Sequence, residues 1–242
     1  AAIVALDKRT GKEIWRTPFP RDMGNKGKDG AGYGSVSIVG SGAQKQYVQM
    51  TGRGVLAVDA RSGRPLWHYN KIANGTANIP SVIVDGDHIF ASTGYGDGGS
   101  ALLRITASGV GEIKYYSAGE LQNHHGGMVL LDGHVYGGHG HNRGEPFCLD
   151  MKTGRITWKV NDNDIRKMGS AAVTCADGHL YFRYQNGMMK LVEANTRGYM
   201  EKGSFQIPND RKNSWQHPVI AGGKLYLRAQ NILYCYDIKS KG

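Results

Sequence analysis

One eleven-residue phrase recurs along this chain and limits its fold more than any other feature. It reads ALDKRTGKEIW at residues 5–15, AVDARSGRPLW at 57–67 and CLDMKTGRITW at 148–158. Each copy is an apolar strand ending in Asp, a tight turn at Thr-Gly or Ser-Gly, and a second strand carrying Trp. Weaker copies follow the same grammar: LRITASGVGEI at 103–113, VEANTRGYM at 192–200 and CYDIKSKG at 235–242. Aligned on the Asp position, the copies fall at residues 7, 59, 105, 150, 193 and 237, in steps of 52, 46, 45, 43 and 44. A period of roughly 40 to 50 residues is what one four-stranded propeller blade requires.

Between the phrases lie further short apolar runs bounded by Gly, Asp or Asn, the spacing of meandering antiparallel strands. The turns between first and second strands are Asp85-Gly86, Asp132-Gly133, Asp177-Gly178 and Gly222-Gly223, residues that accept the positive φ of hairpin turns. No segment sustains a helical period, so helices should be scarce. The pattern predicts an all-β chain of antiparallel blades spanning 1–242. It opens on the last two strands of one blade, continues through full blades at about 32–69, 78–116, 124–160 and 169–206, and ends in a last blade at 215–242. That amounts to about five to six blades. Five blades close into a cramped ring, and the two ends together offer one strand too many for a shared blade. The expectation is therefore an arc of a seven- or eight-bladed ring, completed by another segment or chain, because an open arc leaves bare sheet edges.

Composition narrows the function classes. Thirty-six Gly and seven Pro among 242 residues are spread over turn positions rather than gathered in a low-complexity tract. No run of eighteen apolar residues occurs, so no membrane-spanning helix is expected. Lys and Arg outnumber Asp and Glu by 30 to 20, but no block of five or six like charges forms. That is a solvated basic surface, and no nucleic-acid partner is expected. Cys148 and Cys235 share one slot of the repeat on different blades, too far apart for a disulfide, and Cys175 lies in another strand. The three, with no CxxC, argue against a zinc site or a disulfide scaffold.

At the repeated phrase the sequence resembles the pyrroloquinoline-quinone-like (PQQ-like) β-propeller repeat family, which holds quinoprotein alcohol dehydrogenases and a bacterial outer-membrane-assembly propeller lipoprotein. The resemblance implies structural docking of Trp15, Trp67 and Trp158 on neighbouring blades, near the turn glycines. Ile113 and the region after Arg197 depart from that pattern. The dehydrogenases typically carry an adjacent Cys-Cys pair over the quinone, with carboxylate and Asn calcium ligands and an Asp base. This sequence has no Cys-Cys pair, so PQQ binding is not supported by it. The resemblance points instead to a periplasmic or otherwise extracytoplasmic protein-interaction scaffold without catalysis of its own. The alternative is a quinoprotein-type oxidoreductase whose cofactor residues lie in other blades.

The sharpest chemical candidate is a histidine cluster in the blade at 124–160. His124 and His125 precede the Asp132-Gly133 turn, and His139 and His141 follow it. Folding that hairpin brings four imidazoles to one end of the blade, where the loops of a propeller face ligand. Neutral imidazoles suit zinc, copper, nickel or iron, with Glu120 or Glu145 as a carboxylate partner, so a transition metal is the cofactor expected if any is bound. His134 matches His179 in the next repeat and reads as a surface strand residue. Trp215 and His217 stand outside the docking phrase. They are candidates for lining the funnel mouth, where an indole can stack on a ring ligand or pack on the next blade.

Overall fold

The computed structural model describes residues 1–208 and 212–239. The end of the expected last blade, 240–242, lies outside the described residues. The chain divides into two compact units, Ala1–Gln122 and Asn123–Gly242.

The first unit opens with a two-stranded antiparallel sheet, β1 (Ile3–Leu6) and β2 (Glu13–Thr17). Two four-stranded meanders follow. One runs β3 (Ser37–Val39), β4 (Gln46–Thr51), β5 (Gly54–Asp59) and β6 (Pro65–Tyr69). The other runs β7 (Ile83–Asp85), β8 (His88–Thr93), β9 (Gly99–Thr106) and β10 (Gly109–Ser117). The second unit holds β11 (Met128–Leu131), β12 (His134–His139), β13 (Glu145–Asp150) and β14 (Ile156–Lys159), then β15 (Ala171–Ala176), β16 (His179–Tyr184), β17 (Met188–Glu193) and β18 (Glu201–Gln206). It ends on three strands, β19 (Val219–Ala221), β20 (Lys224–Ala229) and β21 (Ile232–Asp237). Among the described residues the helical content is one short helix, α1 (Asn163–Lys167), and a 3₁₀ turn at Gly42–Gln44.

The repeated phrase folds as it does because its Asp organises the turn. The Asp59 carboxylate accepts the N–H groups of Arg61 and Ser62 and the Ser62 hydroxyl, at 3.1, 2.8 and 2.7 Å. Asp7 and Asp150 hold their own turns through the same oxygen. Such local bonds favour a turn over continued strand. The N–H of Gly63 returns to the Asp59 carbonyl with φ at +72°, a left-handed conformation that a β-carbon disfavours. Hydrogen bonding in the loop depresses the Asp59 carboxyl: the Ser62 hydroxyl leads, the Ser62 N–H follows, and together they outweigh the small cost of burial.

A bulge then sets which residue meets the neighbouring sheet. Ala5 pairs with Trp15, Ala57 with Trp67 and Cys148 with Trp158, each ten residues on, with one residue skipped just before the Trp pair. In the two remaining complete blades the equivalent pairs are Leu102 with Lys114 and Leu191 with Gly203, twelve residues on. Ile113 is thus the skipped residue, and Lys114 holds the position that linear alignment gives to Ile113. Two extra turn residues shift the alignment without changing the strand register.

The three tryptophans sit between sheets. The Trp15 ring lies over Gly63, where an added β-carbon would come within 2.4 Å of its Cε3, and it meets the Tyr47 ring at 6.4 Å. Trp67 is 7% exposed, packs with Val48, Ala57 and Ile89, and donates its N–H to Gln46 Oε1 at 2.9 Å. Trp158 packs on the cluster containing Tyr136, Cys148 and Leu180, and its N–H reaches the Asn195 carbonyl at 2.9 Å. Each indole buries a large apolar face and satisfies its single donor where one is shown, which is what makes it a serviceable wedge between sheets.

Candidate functional site

Imidazoles gather at one end of the second unit. His124 and His125 lie in the segment leading into β11, and His141 lies in the loop between β12 and β13. Gly126 allows the approach of the first segment to β15. A β-carbon at Gly126 would fall 1.5 Å from the Ala171 carbonyl oxygen, so only glycine fits there. The Asn123 amide ties the same segment to the end of β12, donating to the Gly138 carbonyl at 2.9 Å and to that of Gly127 at 3.1 Å.

The rings of His124 and His125 are 3.7 Å apart between centroids, and those of His124 and His141 are 4.2 Å apart and perpendicular. Trp215 extends the patch: its indole lies 5.1 Å from the His125 ring, and its N–H donates to Gln185 Oε1 at 2.9 Å. His217 lies over Gly127, with its Cε1 3.0 Å from where a β-carbon would be. His139 is buried at the end of β12, opposite Glu145 in register. Glu145 is also buried, and its carboxylate accepts from Arg166 Nε at 2.8 Å. That ion pair occupies one oxygen of the carboxylate considered above as a metal partner. His134 faces Asp150 across the strands, and its Nδ1 lies 2.8 Å from the Asp132 carbonyl.

The electrostatics disfavour charge on His124 and His125. His124 is 3% exposed, and its Nδ1 sits 2.7 Å from the Ser170 hydroxyl. Burial, followed by repulsion from His125 and His141, pulls its pKa down from 6.5 to about 3. Burial and the His141 ring also lower His125. Trp215, by contrast, is 47% exposed. The result is an imidazole and indole surface that is exposed at Trp215 and buried at a neutral His124. Among the described residues, no three His, Cys, Asp or Glu side chains are grouped so that they could hold a metal ion. The three cysteines lie in β13, β15 and β21. They do not form the adjacent pair that seats the quinone in the dehydrogenases, so no step through that group follows from this chain. Arg183, near the end of β16, is fully buried and donates to the Arg228 carbonyl at 3.0 Å, joining two neighbouring sheets.

The family model described as "Outer membrane protein assembly factor BamB" matches residues 2–160. The chain belongs to this family of PQQ-like propellers. Among solved structures it is similar to BamB from Moraxella catarrhalis at 14% identity and a TM-score of 0.64, with 96% of this chain and 65% of that one covered. It is also similar to Saccharomyces cerevisiae Sqt1 at 11% identity and a TM-score of 0.66, covering 98% of this chain and 66% of that one. A third likeness is to the quinohemoprotein alcohol dehydrogenase ADHIIG from Pseudomonas putida HK5, at 15% identity and a TM-score of 0.60, covering 88% and 41%. The chain therefore spans about 65% of the length of the Moraxella BamB. A comparison with curated proteins gave no match. At these identities the likenesses speak to fold alone, and the fold is a β-propeller with about five to six blades' worth of strands in this chain. Among the described residues no helix is long and apolar enough to cross a membrane.

Proposed function

We propose that this chain belongs to an extracytoplasmic interaction scaffold that takes part in assembling outer-membrane proteins and performs no catalysis of its own. The observation that carries the reading is the match of residues 2–160 to the BamB family. Fold alone does not choose a function, so the proposal also needs a contact surface. The half-exposed Trp215, backed by His125, is suited to that role. Rigid aromatic side chains supply large contact area at low entropic cost and are enriched among the residues that dominate binding. The partner is another protein of the envelope. Cells lacking the gene should lose outer-membrane β-barrel proteins, and wild-type complementation should restore them. Trp215→Ala at equal abundance should weaken partner cross-linking by about tenfold or more. Unchanged outer-membrane protein levels in the deletion strain, or a protein confined to the cytoplasmic fraction, would refute the reading.

A second reading rests on the three imidazoles in contact. His124, His125 and His141 bind a transition metal once their rings rotate to bring the nitrogens together, with His139 as a further ligand. Metal content of the purified protein, compared with a His124→Ala/His141→Ala variant, decides this. Equal content in both dismisses it.

A further inference from the structure

An indole holds the wedge position in three sheets and Lys114 holds it in β10, but in β18 the position falls to a glycine. Gly203 pairs with Leu191 as Trp158 pairs with Cys148. The rest of the junction is retained. Tyr181 pairs with Leu191 as Tyr136 pairs with Cys148, so Tyr181 stands where the Tyr136 ring lies 6.2 Å from Trp158. Leu225 on β20 corresponds by register to Leu180 on β16, part of the cluster on which Trp158 packs. Among the described residues, the place where the indole would sit is a half-open groove of about 320 Å³, with Tyr181, Leu191, Gly203, Phe205, Leu225 and Ile238 in its lining.

We propose that this vacant wedge position is a binding site for a small planar aromatic molecule of one or two fused rings bearing a single N–H or O–H donor. The chemistry of the occupant is set by what fills the sister junctions in the same chain: an indole, held by apolar walls, with its donor paired to one oxygen. The walls here are of the same kind, with Tyr181, Leu191, Phe205, Leu225 and Ile238 among them. Size agrees as well. Apolar cavities of about 150 Å³ take benzene, so about 320 Å³ leaves room for a bicyclic ring. Gly203 itself places no obstacle: an added β-carbon meets nothing within 4 Å, and its backbone is not left-handed.

The test is a titration of the full chain with free indole, read by NMR of its Ile and Leu methyl groups. Saturable shifts are expected at Leu191, Leu225 and Ile238, with half-saturation at about 1 mM or below. Gly203→Trp supplies the wedge in cis, so it should weaken indole binding at least tenfold while raising the melting temperature. Gly203→Leu, which fills the space in part, should give an intermediate loss and guards against misfolding of the larger variant. Gly203→Ala should bind as the wild type does. No saturable shift, shifts centred on the His125–Trp215 patch, or equal binding by Gly203→Trp and wild type would each overturn the assignment.

Discussion

Acidification from pH 7 to pH 5 should destabilise the second unit through His124. In the unfolded chain this imidazole titrates at its ordinary 6.5, whereas burial against His125 and His141 holds it near 3 in the folded state. A folded pKa below the unfolded one means that the unfolded chain takes up the proton first. The contribution of His124 is thus complete above pH 6.5 and declines as the pH falls toward 3. Within that window each pH unit costs about 1.4 kcal/mol, so at pH 5 the loss is about 2 kcal/mol. His125, shifted the same way, adds to it. Carboxylates contribute little above pH 5, because they are largely ionised there in both states. Urea unfolding at pH 7 and pH 5, followed by the fluorescence of Trp158 and Trp215, measures the difference. His124→Asn should flatten it by about 2 kcal/mol. The reasoning fails if the variant and the wild type lose the same stability, or if the His124 ring titrates near 6.5 in the folded protein by NMR.

Two further outcomes test the wedges. Trp67→Ala should cost about 3–5 kcal/mol, since the indole is buried in a cluster and leaves both a cavity and the unpaired Gln46 acceptor; a loss below about 1 kcal/mol in thermal unfolding would mean the sheets close over the gap. Gly11 and Gly63 both have positive φ, at +70° and +72°, but a β-carbon meets nothing at Gly11 and the Trp15 ring at Gly63. Gly11→Ala should therefore cost about 1–2 kcal/mol from the backbone alone, and Gly63→Ala about 1–3 kcal/mol more; equal costs would mean that Trp15 does not dock there.

The histidine patch shows how far linear reading reaches. Placing His124, His125 and His141 together needed only a hairpin between β11 and β12 and the strand period, both visible as Gly-containing turns between apolar runs. That Trp215 joins them was not visible, because it arrives from a segment about 90 residues away in sequence, and only the packing of neighbouring sheets brings it near. The mutual tilt of the rings, 53° between His124 and His125 and 90° between His124 and His141, is a side-chain outcome that spacing cannot set.

The groove beside Gly203 was hidden for a related reason. Aligned on sequence, the phrase at 192–200 ends near Met200, and the glycine three residues on attracts no notice. The strand register exposes it, because two extra residues in the turn leave the pairing of Leu191 unchanged while moving the wedge position along to 203. The sequence by itself determined the blade: alternating apolar runs, an Asp that captures turn N–H groups and a glycine free to take positive φ are local properties, and local properties repeat. Only the tertiary structure decided which junctions are filled, which imidazoles touch and which stay neutral. Those depend on what a neighbouring sheet presents across the gap, and on how much water it excludes.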